Sequence, residues 1–241
     1  MSQKVFGLFV VMIAAASAVK VPVTIYYESL CPYSAKFINE QVYPAVSGEL
    51  RDYIDLTWVP YGKANFTTQG DDVIFTCQHG PDECYGNKVY ACAIEHIQDN
   101  SYQIEHTRES LTLDFINCLM KAGKNFDDNV YPGVRCARES SISNWENIQQ
   151  CANSTEGSHL LKKQGEITQK FQNPISKVPT VVFNNHYDAE EDNIAIANFV
   201  EISCKYISKP QPEACDAFNS AVATTITPIS ALLAYLLVRC F

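Results

Sequence analysis

The sequence is short of positive charge. Eighteen Lys and Arg stand against 27 Asp and Glu, a net charge of −9. No basic cluster occurs, and no aromatic–basic stripe. That balance argues against nucleic acid and against an anionic membrane surface as partners. A phosphate-binding glycine loop and a nucleophile elbow are both missing, which removes the signatures of nucleotide and serine hydrolase chemistry. His96, His106, His159 and His186 are scattered, and His79 lies between Cys77 and Cys84. One further absence is a single sulfur. The stretch Cys31-Pro32-Tyr33-Ser34 has the layout of a Cys-x-x-Cys redox motif, with serine in the fourth position.

What is present sets the class. A chain of 241 residues with 46% hydrophobic content suits one domain with an insertion. Residues 1–18 read as a signal peptide. Lys4 supplies the positive start, Val5 to Ala15 the apolar run, and Ala16-Ser17-Ala18 the cleavage site. The run is too short to span a membrane. Ten cysteines in a secreted chain point to disulfides. Setting aside Cys31 and the terminal Cys240 leaves an even set: Cys77, Cys84, Cys92, Cys118, Cys136, Cys151, Cys204 and Cys215. Zinc on Cys77, His79 and Cys84 is the competing reading. Its spacing is wrong and its compartment oxidising, so no metal is expected.

Cys31 follows an apolar, β-branched run, Val21 to Tyr27, and opens a helical segment. The first turn of a helix has unpaired N–H groups and partial positive charge, which favour a thiolate. Pro32 suits that first turn. Phe37, Ile38, Val42 and Tyr43 share a face, Pro44 bends or ends the helix, and Gly48 stops it. Ile54 to Pro60 reads as a second strand, giving a βαβ unit with a parallel pair. Asn65-Phe66-Thr67 is a glycosylation sequon in a polar loop, and Asn153-Ser154-Thr155 is another. Helical spacing covers Cys84 to Gln98, the Leu111–Leu119 region, Ser143 to Cys151 and Gly157 to Phe171. The domain at 19–215 therefore carries a stapled helical insertion at about 84–171.

Cys84 and Cys92 on one helix would lie about 12 Å apart, too far to bridge. The preferred pairs are Cys77–Cys84, Cys92–Cys118, Cys136–Cys151 and Cys204–Cys215. Cys77–Cys92 with Cys84–Cys118 is the alternative. Val178-Pro179-Thr180 leads into an apolar strand ending at Phe183. In thioredoxin-like folds such a proline is cis and faces the active cysteine, leaving the preceding backbone free to pair with an extended substrate. An ordinary trans proline at a strand start is the rival reading. Asn184 to Tyr187 reads as a turn into a short strand. Asn193 to Tyr206 reads as one closing helix with Ile194, Ala197, Phe199, Ile202 and Tyr206 buried. Asp71-Asp72 and Glu190-Glu191-Asp192 read as solvated loop charges.

Cys77-Gln78-His79-Gly80, then Glu83-Cys84, Asn87 and Cys92, resembles the signature of the gamma-interferon-inducible lysosomal thiol reductase family, CQHGxxECxxNxxxxC. Every motif position is present, and the likeness runs from about Val21 to Cys215. It implies an α/β, thioredoxin-like fold with a disulfide-stapled helical insertion. It also implies reduction of disulfides in protein substrates, in lysosomes or outside the cell. In that family an upstream Cys-x-x-Cys does the chemistry and the signature segment is structural. Cys31 then carries over as nucleophile, with Val178 and Pro179 at the substrate groove.

Ser34 departs from this pattern. A hydroxyl cannot resolve a mixed disulfide. Cys31 could still attack a substrate disulfide, with an external thiol such as glutathione or cysteine completing the cycle and no bound cofactor. The alternatives are a silenced member that binds or retains clients through Cys31 or the Pro179 groove, and a purely structural Cys31. His79 reads as a structural hydrogen-bonder. The tail at 216–241 offers small residues at Asn219-Ser220-Ala221, a spacer, and an apolar run from Ile229 to Val238. It resembles a glycolipid-anchor signal, with a spanning helix or a dispensable tail as rivals.

Overall fold

The structure is a computed structural model and describes residues 19–99, 106–123 and 131–219. The segment expected to be a signal peptide, 1–18, and the apolar part of the tail lie outside the described residues. Among those described, no helix is long and apolar enough to cross a membrane.

Strand β1 (Val21–Tyr27) is central because its residues are apolar or β-branched on both faces. It pairs in parallel with β2 (Ile54–Pro60), Val21 opposite Ile54 and Tyr27 opposite Pro60. On its other side it pairs antiparallel with β5 (Thr180–Phe183), Val23 opposite Phe183. The sheet order is β2-β1-β5. Between β1 and β2 the chain makes α1 (Pro32–Phe37), a π-helical turn at Ile38–Val42, and α2 (Tyr43–Ser47). Pro44 does not end this helix. It falls in the first turn of α2, where its missing N–H is tolerated, and Gly48 closes the run. Phe37, Ile38, Val42 and Leu50 are buried against the sheet. A parallel strand pair crossed by a cysteine-led helix, with an antiparallel strand entered through proline, is the thioredoxin-like arrangement.

Ahead of the helical insertion stands a hairpin, β3 (Asn65–Gln69) and β4 (Asp72–Thr76), where a polar loop was expected around Asn65. These strands are mostly exposed and polar, so apolar alternation was weak. They are held by Phe66 and Phe75, ring centroids 6.2 Å apart, with Tyr61 beneath Phe66. Gly70, at φ +63, makes the tight turn. Among the described residues five helices follow: α3 (Pro81–His96), α4 (Arg108–Ala122), α5 (Gly133–Glu139), α6 (Trp145–Ala152) and α7 (Thr155–Phe171). They share one apolar core with the sheet, with Phe115, Ile116, Ile148 and Cys92 at its centre.

Two of the four expected disulfides are present, Cys77–Cys84 and Cys204–Cys215. The other two pairings are corrected. Cys92 bonds Cys151, and Cys118 bonds Cys136, with Cα separations of 6.0 and 5.5 Å. Neither Cys92–Cys118 nor Cys136–Cys151 forms, and the alternative Cys77–Cys92 with Cys84–Cys118 is also excluded. The reason is packing: α3 lies along α6, and α4 lies along α5. An apolar face tells that a cysteine points inward, but not toward which neighbour.

The expected closing helix is two helices, α8 (Ala189–Ala197) and α9 (Phe199–Tyr206), broken at Asn198. Asn198 is extended, and its side chain caps α9 at Glu201 N. The break shifts the buried face, so Ala195 is buried and Ala197 exposed. Asn184 and Asn185 both take left-handed backbone, at φ 49 and 58, and only a Phe183–His186 bridge follows instead of a strand. The acidic run is not a solvated loop. Asp188 caps α8. Asp192 is buried, accepts from Val181 N at 2.9 Å and pairs with Lys177 at 2.8 Å. Glu191 takes Lys205 and the Tyr206 hydroxyl.

Candidate functional site around Cys31

β1 delivers the chain to a turn at Glu28, Ser29 and Leu30, and Cys31 is the N-cap residue of α1. Its backbone is extended (φ −73, ψ 119), and its carbonyl accepts from Ala35 N at 3.0 Å. Among the described residues Cys31 is the free cysteine. It is 5% exposed, while Tyr33 beside it is 75% exposed. The Val178–Pro179 bond is cis, as the sequence suggested. Its Val178 carbonyl oxygen lies 3.9 Å from Cys31 Sγ. The two stretches of chain, far apart in sequence, therefore meet at the sulfur. Ser34 is fully buried one turn on, and its Oγ has no hydrogen-bond partner.

The signature segment docks on the turn that precedes Cys31. Asn87 Oδ1 accepts from Ser29 N at 2.9 Å, and Ser29 Oγ donates to the Glu83 carbonyl at 3.0 Å. Glu83 Oε1 accepts from His79 N at 3.0 Å, and its Oε2 lies 2.5 Å from His79 Nδ1. Glu28 Oε2 lies 3.7 Å from the same Nδ1, and Glu28 Oε1 accepts from Lys63 N at 2.6 Å. Glu28 and Glu83 are both 0% exposed. Two glycines make room. A Cβ at Gly62, where φ is +59, would lie 2.3 Å from Glu28 Cγ, and one at Gly86 would lie 2.6 Å from Ser29 Oγ. Burial pushes the Glu28 carboxyl up to about 7, and the neighbouring Glu83 adds to the rise. The Lys63 amide, His79 and the Lys63 charge pull the other way.

Comparison with known proteins places this geometry. The family model for gamma interferon inducible lysosomal thiol reductase (GILT) matches residues 22–155. The chain belongs to the GILT family. Its chemistry is accordingly that of a thiol oxidoreductase. GILT-like protein 1 of Drosophila melanogaster is 61% identical over 241 residues, covering 98% of this chain and 96% of that one. A gamma-interferon-inducible lysosomal thiol reductase-like protein of Anopheles gambiae is 50% identical over 224 residues, covering 90% and 92%. Among solved structures, oxidised BdbD of Bacillus subtilis aligns at TM-score 0.48 and 15% identity, covering 73% of this chain and 85% of that one.

In this GILT-family chain the expected positions separate into two groups. Cys31, Ser34, Val178 and Pro179 come together at the end of the sheet where β1 leaves and β5 enters. Among the described residues the eight other cysteines are in disulfides, and the sequon residues Asn65 and Asn153 are exposed. Glu28, His79 and Glu83 present ligand-type atoms within 4.8 Å of one another. Ligands of one tetrahedral zinc, each about 2.0–2.2 Å from the ion, sit roughly 3.3 Å apart. The 2.5 Å His79–Glu83 separation is that of a hydrogen-bonded pair instead. Cys77 and Cys84 are bonded to each other, so their sulfurs are not thiolate ligands. The roles of Glu28 and Ser29 escaped sequence reading. The available signal was a carboxylate directly after a wholly apolar strand, with nothing in the spacing to link it to His79.

Proposed function

We propose that this chain exchanges protein disulfides through Cys31 alone. The observation that carries the reading is a free cysteine at a helix start, facing the carbonyl before Pro179, with a buried serine where a resolving thiol would stand. The Cys31 thiolate attacks one sulfur of a client disulfide, forming a mixed disulfide and releasing the first client thiolate. A small thiol such as glutathione or cysteine then attacks Cys31 Sγ and releases the second client thiolate. A second small thiol removes the first as its own disulfide and returns Cys31. Two small thiols are oxidised for each client disulfide reduced. The Val178 backbone and Pro179 serve as the edge on which an extended client segment lies. Residues 1–18 direct the chain into the secretory pathway, toward lysosome or exterior, and the domain at 19–215 is the working unit.

The same buried Ser34 favours a second reading, in which Cys31 holds clients covalently without turnover. A disulfide-reduction assay with and without added glutathione separates them, using wild type, Cys31→Ala and Ser34→Cys. Turnover is expected only with added thiol and only with Cys31. If Ser34→Cys creates activity that the wild type lacks under every donor, the retention reading replaces the first.

A further inference from the structure

Among the described residues, the hydrogen bonds and ion pairs that tie the turn bearing Cys31 to the signature segment are made by Glu28 and Ser29. Ser29 is held at both its amide and its hydroxyl by α3. Glu28 is held at Oε1 by the Lys63 amide, and its carbonyl accepts from Cys31 N at 3.4 Å. Its Oε2 is buried, has no hydrogen-bond partner and points at the imidazole that Glu83 already engages.

The charged groups facing Glu28 come from two directions: Lys63 from the turn after β2, and His79 and Glu83 from the start of α3. Lys63 is itself exposed. One imidazole, even protonated, offsets one of the two buried carboxylates. The second must stay neutral or remain uncompensated in a dry site.

We propose that Glu28 is the positioning residue for Cys31 and acts as a proton-dependent clamp. With its carboxyl protonated, the 28–31 turn stays docked on His79, Glu83 and Asn87, and Cys31 stays seated against Val178. With the carboxylate ionised, two buried negative charges share one imidazole, and the turn releases. This rests on Cys31 as nucleophile and adds the control of its placement. The rise of the Glu28 carboxyl to about 7 sets the window. A group raised in the closed state holds the clamp fully below the ordinary carboxylate value and loses it as pH climbs to about 7.

The test is hydrogen exchange of the intact chain, corrected for intrinsic rates, read at the Ser29 and Cys31 amides. Wild type is expected to lose more than tenfold of its protection at these amides between pH 5 and 7. Ile25 in β1 keeps its protection over the same range. Glu28→Gln, which cannot ionise, is expected to keep the turn protected throughout. Glu83→Gln, which removes the charge-repulsion part of the rise but leaves the burial part, is expected to make the same profile shallower than wild type and serves where Glu28→Gln does not fold. A wild-type profile that is flat, or that both variants reproduce, overturns the clamp. Disulfide reduction by Cys31→Ala in parallel keeps the two ideas apart. Retained activity there sinks Cys31 as nucleophile but leaves the exchange result standing.

Discussion

Replacing Glu28 by glutamine should change how global stability depends on pH, and by a calculable amount. Glutamine keeps the shape and the acceptor that Lys63 N uses, but cannot ionise. The wild-type carboxyl moves from an ordinary 4.5 to about 7 in the folded chain. Each pH unit of such a change corresponds to 1.36 kcal/mol, so the difference amounts to about 3 kcal/mol. Its sign follows from the direction. The folded state holds the proton more tightly, so wild-type stability relative to Glu28→Gln is highest below about pH 4.5. It falls as pH rises toward 7 and stays level above that. Urea unfolding of both proteins at several values between pH 4 and 8 measures the difference directly and cancels every other titrating group. In thermal terms the expected relative drop is roughly 6–12 °C for a domain of this size. A wild-type-minus-variant difference that stays constant across this range would show that Glu28 titrates as an ordinary surface acid. The account of the buried cluster would then be wrong.

Non-reducing peptide mapping should recover Cys92 joined to Cys151 and Cys118 joined to Cys136. Loss of the first, which spans 59 residues, should cost about 4 kcal/mol, against about 2 for Cys77–Cys84, which spans 7. Gly86→Ala should press its Cβ into Ser29 and lower stability by about 1–3 kcal/mol. It should also slow Cys31-dependent exchange, whereas an alanine at exposed Lys36 should do neither. Asp192→Ala should strand the buried Val181 amide next to Pro179, at about 1–3 kcal/mol in chemical denaturation. Asp192→Asn, which can still accept that bond, should recover most of the loss.

Much of the frame was readable from local pattern. The β1 run, the cysteine-led helix, β2 and the proline-entered β5 each carry a signal within a few residues. So do α3, α4, α6 and α7, where apolar residues recur at helical spacing. The hairpin at Asn65–Thr76 was not readable, because two polar exposed strands are held by a Phe66–Phe75 pair that only pairing reveals. The α8–α9 break was hidden because Asn198 interrupts an otherwise continuous helical pattern. The acidic run at 190–192 looked solvated because charge alone gives no hint of a buried amide such as Val181 N waiting for it.

For the site, sequence alone pointed to Cys31 as the candidate nucleophile, to serine at the fourth position of its motif, and to Pro179 as the proline opposite. These follow from residue type and order. The signature marked His79, Glu83 and Asn87 as a set but not what they hold. Tertiary structure decided that they hold Glu28 and Ser29, because those contacts join residues more than 50 positions apart across the core. It also decided the disulfide partners, since helix neighbours are chosen by packing rather than by spacing. And it decided that a glutamate in an ordinary-looking turn is buried against a second carboxylate, which is what ties the placement of Cys31 to the proton.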